Sequence, residues 1–168
     1  YADELFEEMP EVDCFIGVNE YERLPEILEN LDKRQKVVTE CFADVLPRMK
    51  RKLDDNPFSS TLKIAEGCNN RCAYCVIPSI RGEYRSKKIE DILDEAQELA
   101  QAGCKELILI AQDVTNYGID LYGQYKLSEL LRQLCRIDGI EWIRLMYCYP
   151  EEIYDELIDC FRDEPKLL

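Results

Sequence analysis

The sequence predicts an α/β protein built on βα repeats, with a parallel sheet carried forward by helical crossovers. Three observations predict it. From Thr61 onward, apolar runs alternate three times with helically spaced apolar stripes. The second run, "KELILIA" at 105–111, is unbroken, as suits a strand covered on both faces. A shorter apolar run, "VDCFIGV" at 12–18, lies between two helical stretches, as at the end of an open α/β domain. Three repeats do not close a barrel; they make the first part of one, or of an open sheet.

Taken in order, Leu5, Phe6 and Met9 sit at helical spacing, and Pro10 ends that run. The strand at 12–18 follows, then a helical stretch from about Tyr21 that Pro25 begins or bends. Residues 1–31 are thus expected to be the C-terminal part of one domain. Residues 32–60 keep no sustained period and end in the breaker "DDNPFSS", so a linker is expected there. It carries Arg48, Lys50, Arg51 and Lys52, either a nucleic-acid contact or a solvated cluster.

The third domain segment, 61–168, holds the repeats. "TLKIAEG" at 61–67 reads as the first strand. Ile89, Ile92, Leu93, Ala96, Leu99 and Ala100 mark one face of the first crossover helix, with Gly103 placed to stop it. The stripe of Leu127, Leu130, Leu131 and Leu134 gives the second helix, and "WIRLMYCY" at 142–149 the third strand. Ile153, Leu157, Ile158 and Phe161 mark the last helix. Chemistry in such sheets gathers at the carboxyl ends of the strands. The long loops after the first two strands leave from that side and are expected to share one site.

Composition narrows the chemistry. The formal charge of −14 repels phosphate backbones and favours basic partners. No apolar run reaches the ~20 residues of a membrane helix, so no membrane partner is expected. Nine cysteines, an odd number without secretory cues, suggest a reducing cytoplasm rather than a disulfide scaffold. No histidine is present, which removes Cys–His catalysis and imidazole metal sites. The chain opens at Tyr1 and stops after a helical pattern, so it is expected to be an excerpt of a longer protein.

Against that background, "EGCNNRCAYC" at 66–75 crowds Cys68, Cys72 and Cys75 into one polar loop. Thiolates are soft ligands for zinc, copper(I) and iron–sulfur clusters. A cubane cluster takes one thiolate per iron, so three from this loop leave one iron open to a ligand with nitrogen and oxygen donors. A zinc site completed by a distant cysteine is the rival. Cys104, Cys135, Cys148 and Cys160 fall in or beside apolar stripes and read as small hydrophobes. Gln112 and Asp113, at the end of the second strand, are placed to touch a bound cofactor. Arg81 and Arg85 suit holding a carboxylate or offsetting the charge of a cluster.

The Cys-x-x-x-Cys-x-aromatic-Cys loop after the first strand resembles the radical S-adenosylmethionine (SAM) enzymes. That resemblance implies a partial, TIM-like radical SAM barrel, of which this chain holds the first half. It implies a [4Fe-4S] cluster on Cys68, Cys72 and Cys75, with S-adenosylmethionine chelated by the fourth iron and Tyr74 bordering its adenine. The segment Arg81-Gly82-x-x-Arg85-Ser86 is similar to the methylthiotransferase branch, and "ELILIAQDVTNYGIDLYG" at 106–123 to its RimO type. The resemblance implies methylthiolation of the β-carbon of an aspartate in a small-subunit ribosomal protein, with an electron donor as a further partner. The MiaB type, acting on adenosine of transfer RNA, is the alternative. The family's N-terminal domain carries a second [4Fe-4S] cluster on cysteines expected before Tyr1, so Cys14 and Cys41 are not assigned to it.

Overall fold

The computed structural model describes residues 2–18, 20–33, 35–38, 46, 51–52 and 58–168. The chain divides into two units, 1–44 and 45–168.

In the first unit, helix α1 (Ala2–Glu8) ends before Pro10, whose ring and missing N–H cannot continue a helix. Strand β1 (Cys14–Ile16) follows, then a 3₁₀ turn at Tyr21–Arg23 and helix α2 (Leu24–Glu29), with Pro25 in its first turn. Strand β2 (Gln35–Val37) pairs parallel to β1, Phe15 facing Lys36. This strand lies in the stretch expected to be a linker. Three residues are too few to show a period in sequence, and only pairing with β1 reveals them. The Phe6 ring meets Phe15 edge-on with centroids 6.0 Å apart, joining α1 to β1. Cys14 is partly buried in β1, and Cys41 lies outside the described residues.

In the second unit, strands β3 (Ser59–Lys63), β6 (Glu106–Ile110) and β7 (Trp142–Leu145) form a parallel sheet in the order β3-β6-β7. Sequential strands are neighbours, as expected of βα repeats. Between β3 and β6 lie the short strand β4 (Ala65–Glu66), helix α3 (Ile77–Arg81), the short strand β5 (Arg85–Ser86) and helix α4 (Ile89–Gln101). Helices α5 (Ile119–Tyr122) and α6 (Leu127–Leu134) lead to β7, and α7 (Asp155–Asp163) follows it.

The core is what the stripes foretold. Ile92, Ala96 and Leu99 of α4 and all four leucines of the α6 stripe are buried with Leu62, Leu107, Leu109 and Ile143 of the sheet. Two expectations need correction. On β6 only Leu107 and Leu109 are fully buried; Ile108 and Ile110 point the other way and stay partly exposed. Among the described residues the second face of β6 is therefore only partly covered. In α7, Leu157 and Cys160 are buried, whereas Ile158 is exposed and Ile153 precedes the helix. At 3.6 residues per turn Leu157 and Cys160 share one face, and Ile158 falls off it.

The end of α4 matches its sequence signal in atomic detail. Gly103 takes φ +100°, the Gly103 N–H reaches Ala100 O at 3.0 Å and the Cys104 N–H reaches Leu99 O at 2.9 Å. This is a Schellman cap, and a side chain at Gly103 would be strained by that dihedral. At the far edge of the sheet, Ile143 N donates to Lys166 O at 2.7 Å and Leu168 N to Ile143 O at 2.9 Å, so residues 166–168 run parallel along β7. Glu164, almost fully buried, fixes this return by a two-pronged pair with Arg136 at 2.8 and 3.0 Å.

Candidate cluster-binding site

Local chemistry shapes the cysteine loop before any ligand arrives. Strands β4 and β5 pair antiparallel, Ala65 with Ser86 and Glu66 with Arg85, and pinch the loop 67–84 at its neck. At the neck Gly67 takes φ +81°, and a Cβ there would lie 2.1 Å from Glu83 O. Only glycine allows that approach. Cys68 N then donates to Gly82 O at 3.2 Å, and Tyr84 N donates to Asn69 Oδ1 at 2.9 Å. Farther out, Cys75 N donates to Cys72 O at 3.0 Å in a tight turn, and Val76 leads into α3.

The Arg-Gly-x-x-Arg-Ser segment closes this loop. Gly82 caps α3 at φ +74°. Ser86 donates from N and Oγ to the Asp120 carboxylate at 2.8 and 2.6 Å, and its Oγ accepts from Gly118 N at 2.9 Å. Arg85 is buried and donates to Arg81 O at 3.1 Å. Its pKa lies below the usual arginine value because burial outweighs the opposing Glu66 charge. The carboxylate that Arg81 approaches is the protein's own Glu66, 3.9 Å away. Arg51, one of the four cations of the expected linker, pairs with Glu95 at 3.1 Å and donates to Thr61 O at 2.7 Å; Arg48 and Lys50 lie outside the described residues.

The loops after β3, β6 and β7 meet, so the two loops expected to share one site lie together and a third joins them. Gln112 Nε2 donates to Glu66 Oε1 at 2.8 Å. Burial raises the Glu66 pKa, but Lys63, Arg81 and Gln112 more than offset it and hold the carboxyl below its ordinary range. Gln112 Oε1 is buried with no hydrogen-bond partner among the described residues. Asp113, only 2% exposed, accepts from Asn70 Nδ2 at 2.9 Å, Thr115 N at 3.0 Å, Asn116 Nδ2 at 2.8 Å and the Thr115 hydroxyl. Asn116 also donates to Glu152, whose carboxyl is pushed up by burial and by Asp113 beside it. From the third loop, Tyr149 N donates to Thr115 Oγ1 at 3.2 Å, and the Tyr149 hydroxyl lies 3.6 Å from Cys72 Sγ.

Sequence reasoning named Cys68, Cys72, Cys75, Tyr74, Gln112 and Asp113. It gave no role to Asn69, Asn70, Thr115, Asn116, Tyr149 or Glu152. Asparagines between two cysteines and a tyrosine at a strand end were the available signals, but their partners are 15 to 77 residues away in sequence. Tyr74 stands 92% exposed at the rim of the loop, free to stack on a flat ligand. Cys68 is buried, and burial raises its thiol pKa above the ordinary value; Cys72 and Cys75 are partly exposed.

The donor set of the loop fits an iron–sulfur cluster. All three cysteines are free thiols. Among the described residues, no three His, Cys, Asp or Glu side chains stand close enough to hold one metal ion. Three thiolates match a cluster that takes one thiolate per iron and keeps one iron open.

A parallel three-stranded sheet with a three-cysteine loop at its carboxyl end defines a class, and comparison with known proteins places the chain in it. Residues 62–166 match the family model of the radical SAM superfamily, so the chain belongs to that superfamily. It is 52% identical over 161 residues to the ribosomal protein uS12 methylthiotransferase RimO of Clostridium perfringens, covering 94% of this chain and 36% of that protein. Against the protein of the same name from Moorella thermoacetica it is 52% identical over 169 residues, covering 98% and 38%. The chain thus spans little more than a third of the length of these relatives. In fold it is similar to the radical SAM methyltransferase TsrM of Kitasatospora setae, with a TM-score of 0.51 and 21% identity over 64% of this chain and 20% of that one.

Proposed function

We propose that this chain is the cluster-binding part of a radical SAM methylthiotransferase that adds a methylthio group to the β-carbon of an aspartate in a small-subunit ribosomal protein. The observation that carries the proposal is the braced three-cysteine loop at the carboxyl ends of β3, β6 and β7. The uS12 methylthiotransferase relatives support the substrate class, since identity runs across both units of the chain. The charge of −14 suits a basic ribosomal protein better than RNA. An external electron donor and a reducing cytoplasm complete the reading; no described helix is long and apolar enough to cross a membrane.

Each side chain has a distinct task. Cys68, Cys72 and Cys75 hold a [4Fe-4S] cluster and leave one corner open for S-adenosylmethionine. When bound, these groups supply the reductive carbon–sulfur cleavage needed to functionalise an unactivated carbon–hydrogen bond, chemistry beyond side-chain acids and bases. Tyr74 offers its exposed ring to the adenine. Gln112 presents Oε1, an acceptor with no donor among the described residues, to the amino group of the cofactor. Asp113 is assigned to gripping the loop through Asn70 rather than to touching the cofactor, because its oxygens already accept four hydrogen bonds. A second cluster belongs to ligands outside this chain.

The test uses the full-length protein, reconstituted anaerobically with iron and sulfide. The reading expects an electron paramagnetic resonance (EPR) signal that changes when S-adenosylmethionine is added, and a mass gain of one methylthio group on the ribosomal protein. Modification of transfer RNA instead would overturn the substrate. Stoichiometric zinc with no SAM-sensitive signal would overturn the enzyme.

A further inference from the structure

The geometry points to Tyr149 as a positioning residue that donates a hydrogen bond to the Cys72 sulfur and thereby sets the reduction potential of the cluster. The inference rests on the proposed reading in one respect, that Cys72 is an iron ligand. The phenol oxygen and Cys72 Sγ are 3.6 Å apart. A cysteine bound to iron is a thiolate and can only accept, so the tyrosine hydroxyl becomes the donor. A hydrogen bond to a ligating sulfur favours the more negatively charged, reduced cluster, one of the means by which proteins tune such potentials.

The position of the phenol does not depend on Cys72 alone. Tyr149 N donates to Thr115 Oγ1 at 3.2 Å, and the Thr115 hydroxyl in turn donates to Asp113. Two residues earlier, Tyr147 O accepts from Val114 N at 3.2 Å, and Tyr147 adopts the left-handed φ of +67° that turns the chain out of β7. The same Asp113 carboxylate holds Asn70, two residues before Cys72. One buried group therefore locates donor and acceptor from opposite sides. Phenylalanine would satisfy every packing contact of the ring, so only the hydroxyl is at stake.

The experiment follows the SAM-responsive EPR signal of the full-length protein by redox titration. Tyr149→Phe is expected to load as much iron as the wild type, with its midpoint shifted to more negative potential. Replacing Tyr149 with a ring-fluorinated tyrosine, a stronger donor, is expected to shift the midpoint the opposite way. Electron–nuclear double resonance is expected to show a proton coupled to the reduced cluster that disappears on exchange into deuterated water in the wild type and is missing in Tyr149→Phe. Equal midpoints and an unchanged proton coupling would overturn the role of Tyr149 while leaving the cluster reading intact. A wild type that binds no SAM-responsive cluster would overturn both, and the two failures are thus distinguishable.

Discussion

Asn70 Nδ2 lies 2.9 Å from Asp113 Oδ2, so the end of β6 grips the cysteine loop between its first two thiols. Asp113→Ala strands several donors at once, each costing about 1–3 kcal/mol when buried. We expect a loss of roughly 2–4 kcal/mol in urea unfolding, together with a fall in iron bound per chain. Asn70→Ala leaves Asp113 its other donors and should cost only about 1 kcal/mol, yet lower iron loading similarly. If Asn70→Ala loaded iron normally, the grip would have no bearing on the site.

The loop neck makes a second, purely steric prediction. Gly67→Ala places a Cβ 2.1 Å from Glu83 O on a backbone at φ +81°. That oxygen, and Gly82 O at 2.7 Å, are backbone atoms rather than flexible side-chain tips, so the neck must open. A loss of about 2 kcal/mol or more is expected from the dihedral and the clash together, measured as a shift in denaturant midpoint. Gly103→Ala at φ +100° meets no atom within 4 Å and should cost less, by strain alone.

Glu152 makes stability depend on pH. Its folded pKa is raised by burial and by Asp113, so the native state holds a proton that the unfolded chain releases. The sign follows: this contribution is present below the ordinary glutamate pKa and is lost as pH rises through the raised one. Glu152→Gln mimics the protonated side chain, keeping an acceptor for Asn116. The variant should lose that pH slope and match or exceed wild-type stability at neutral pH, as thermal melts across a pH series would show.

Thiol reactivity separates the cysteines by role. Cys104, Cys135 and Cys160 are buried, and burial pushes the Cys135 thiol up to about 11. Thiolate is the reactive form, so these three should resist alkylation in the native apoprotein, whereas the partly exposed Cys72 and Cys75 should label ahead of them. Cluster loading should then protect Cys72 and Cys75. Peptide mapping by mass spectrometry checks both steps; fast labelling of Cys135 would contradict the packing.

What was legible in advance follows from locality. The α6 stripe, the stop at Gly103 and the trio Cys68, Cys72 and Cys75 are written in spacings of three to seven residues, and helix periodicity or metal-ligand chemistry reads them directly. Strand β2 escaped notice because three residues carry no period and need β1 as partner. The one-sided burial of β6 and the exposure of Ile158 escaped because an apolar residue does not announce which face its neighbours will cover.

By itself, the sequence determined a βα-repeat protein with three closely spaced thiols at the end of its first strand, since periodicity and spacing are properties of neighbouring residues. Tertiary structure alone decided that Asp113 serves as the buried clasp of the loop and that Tyr149 faces Cys72 across 77 residues of chain. Hydrogen bonds act over about 3 Å of space, and only the folded sheet, by laying three strand ends side by side, turns that sequence distance into contact.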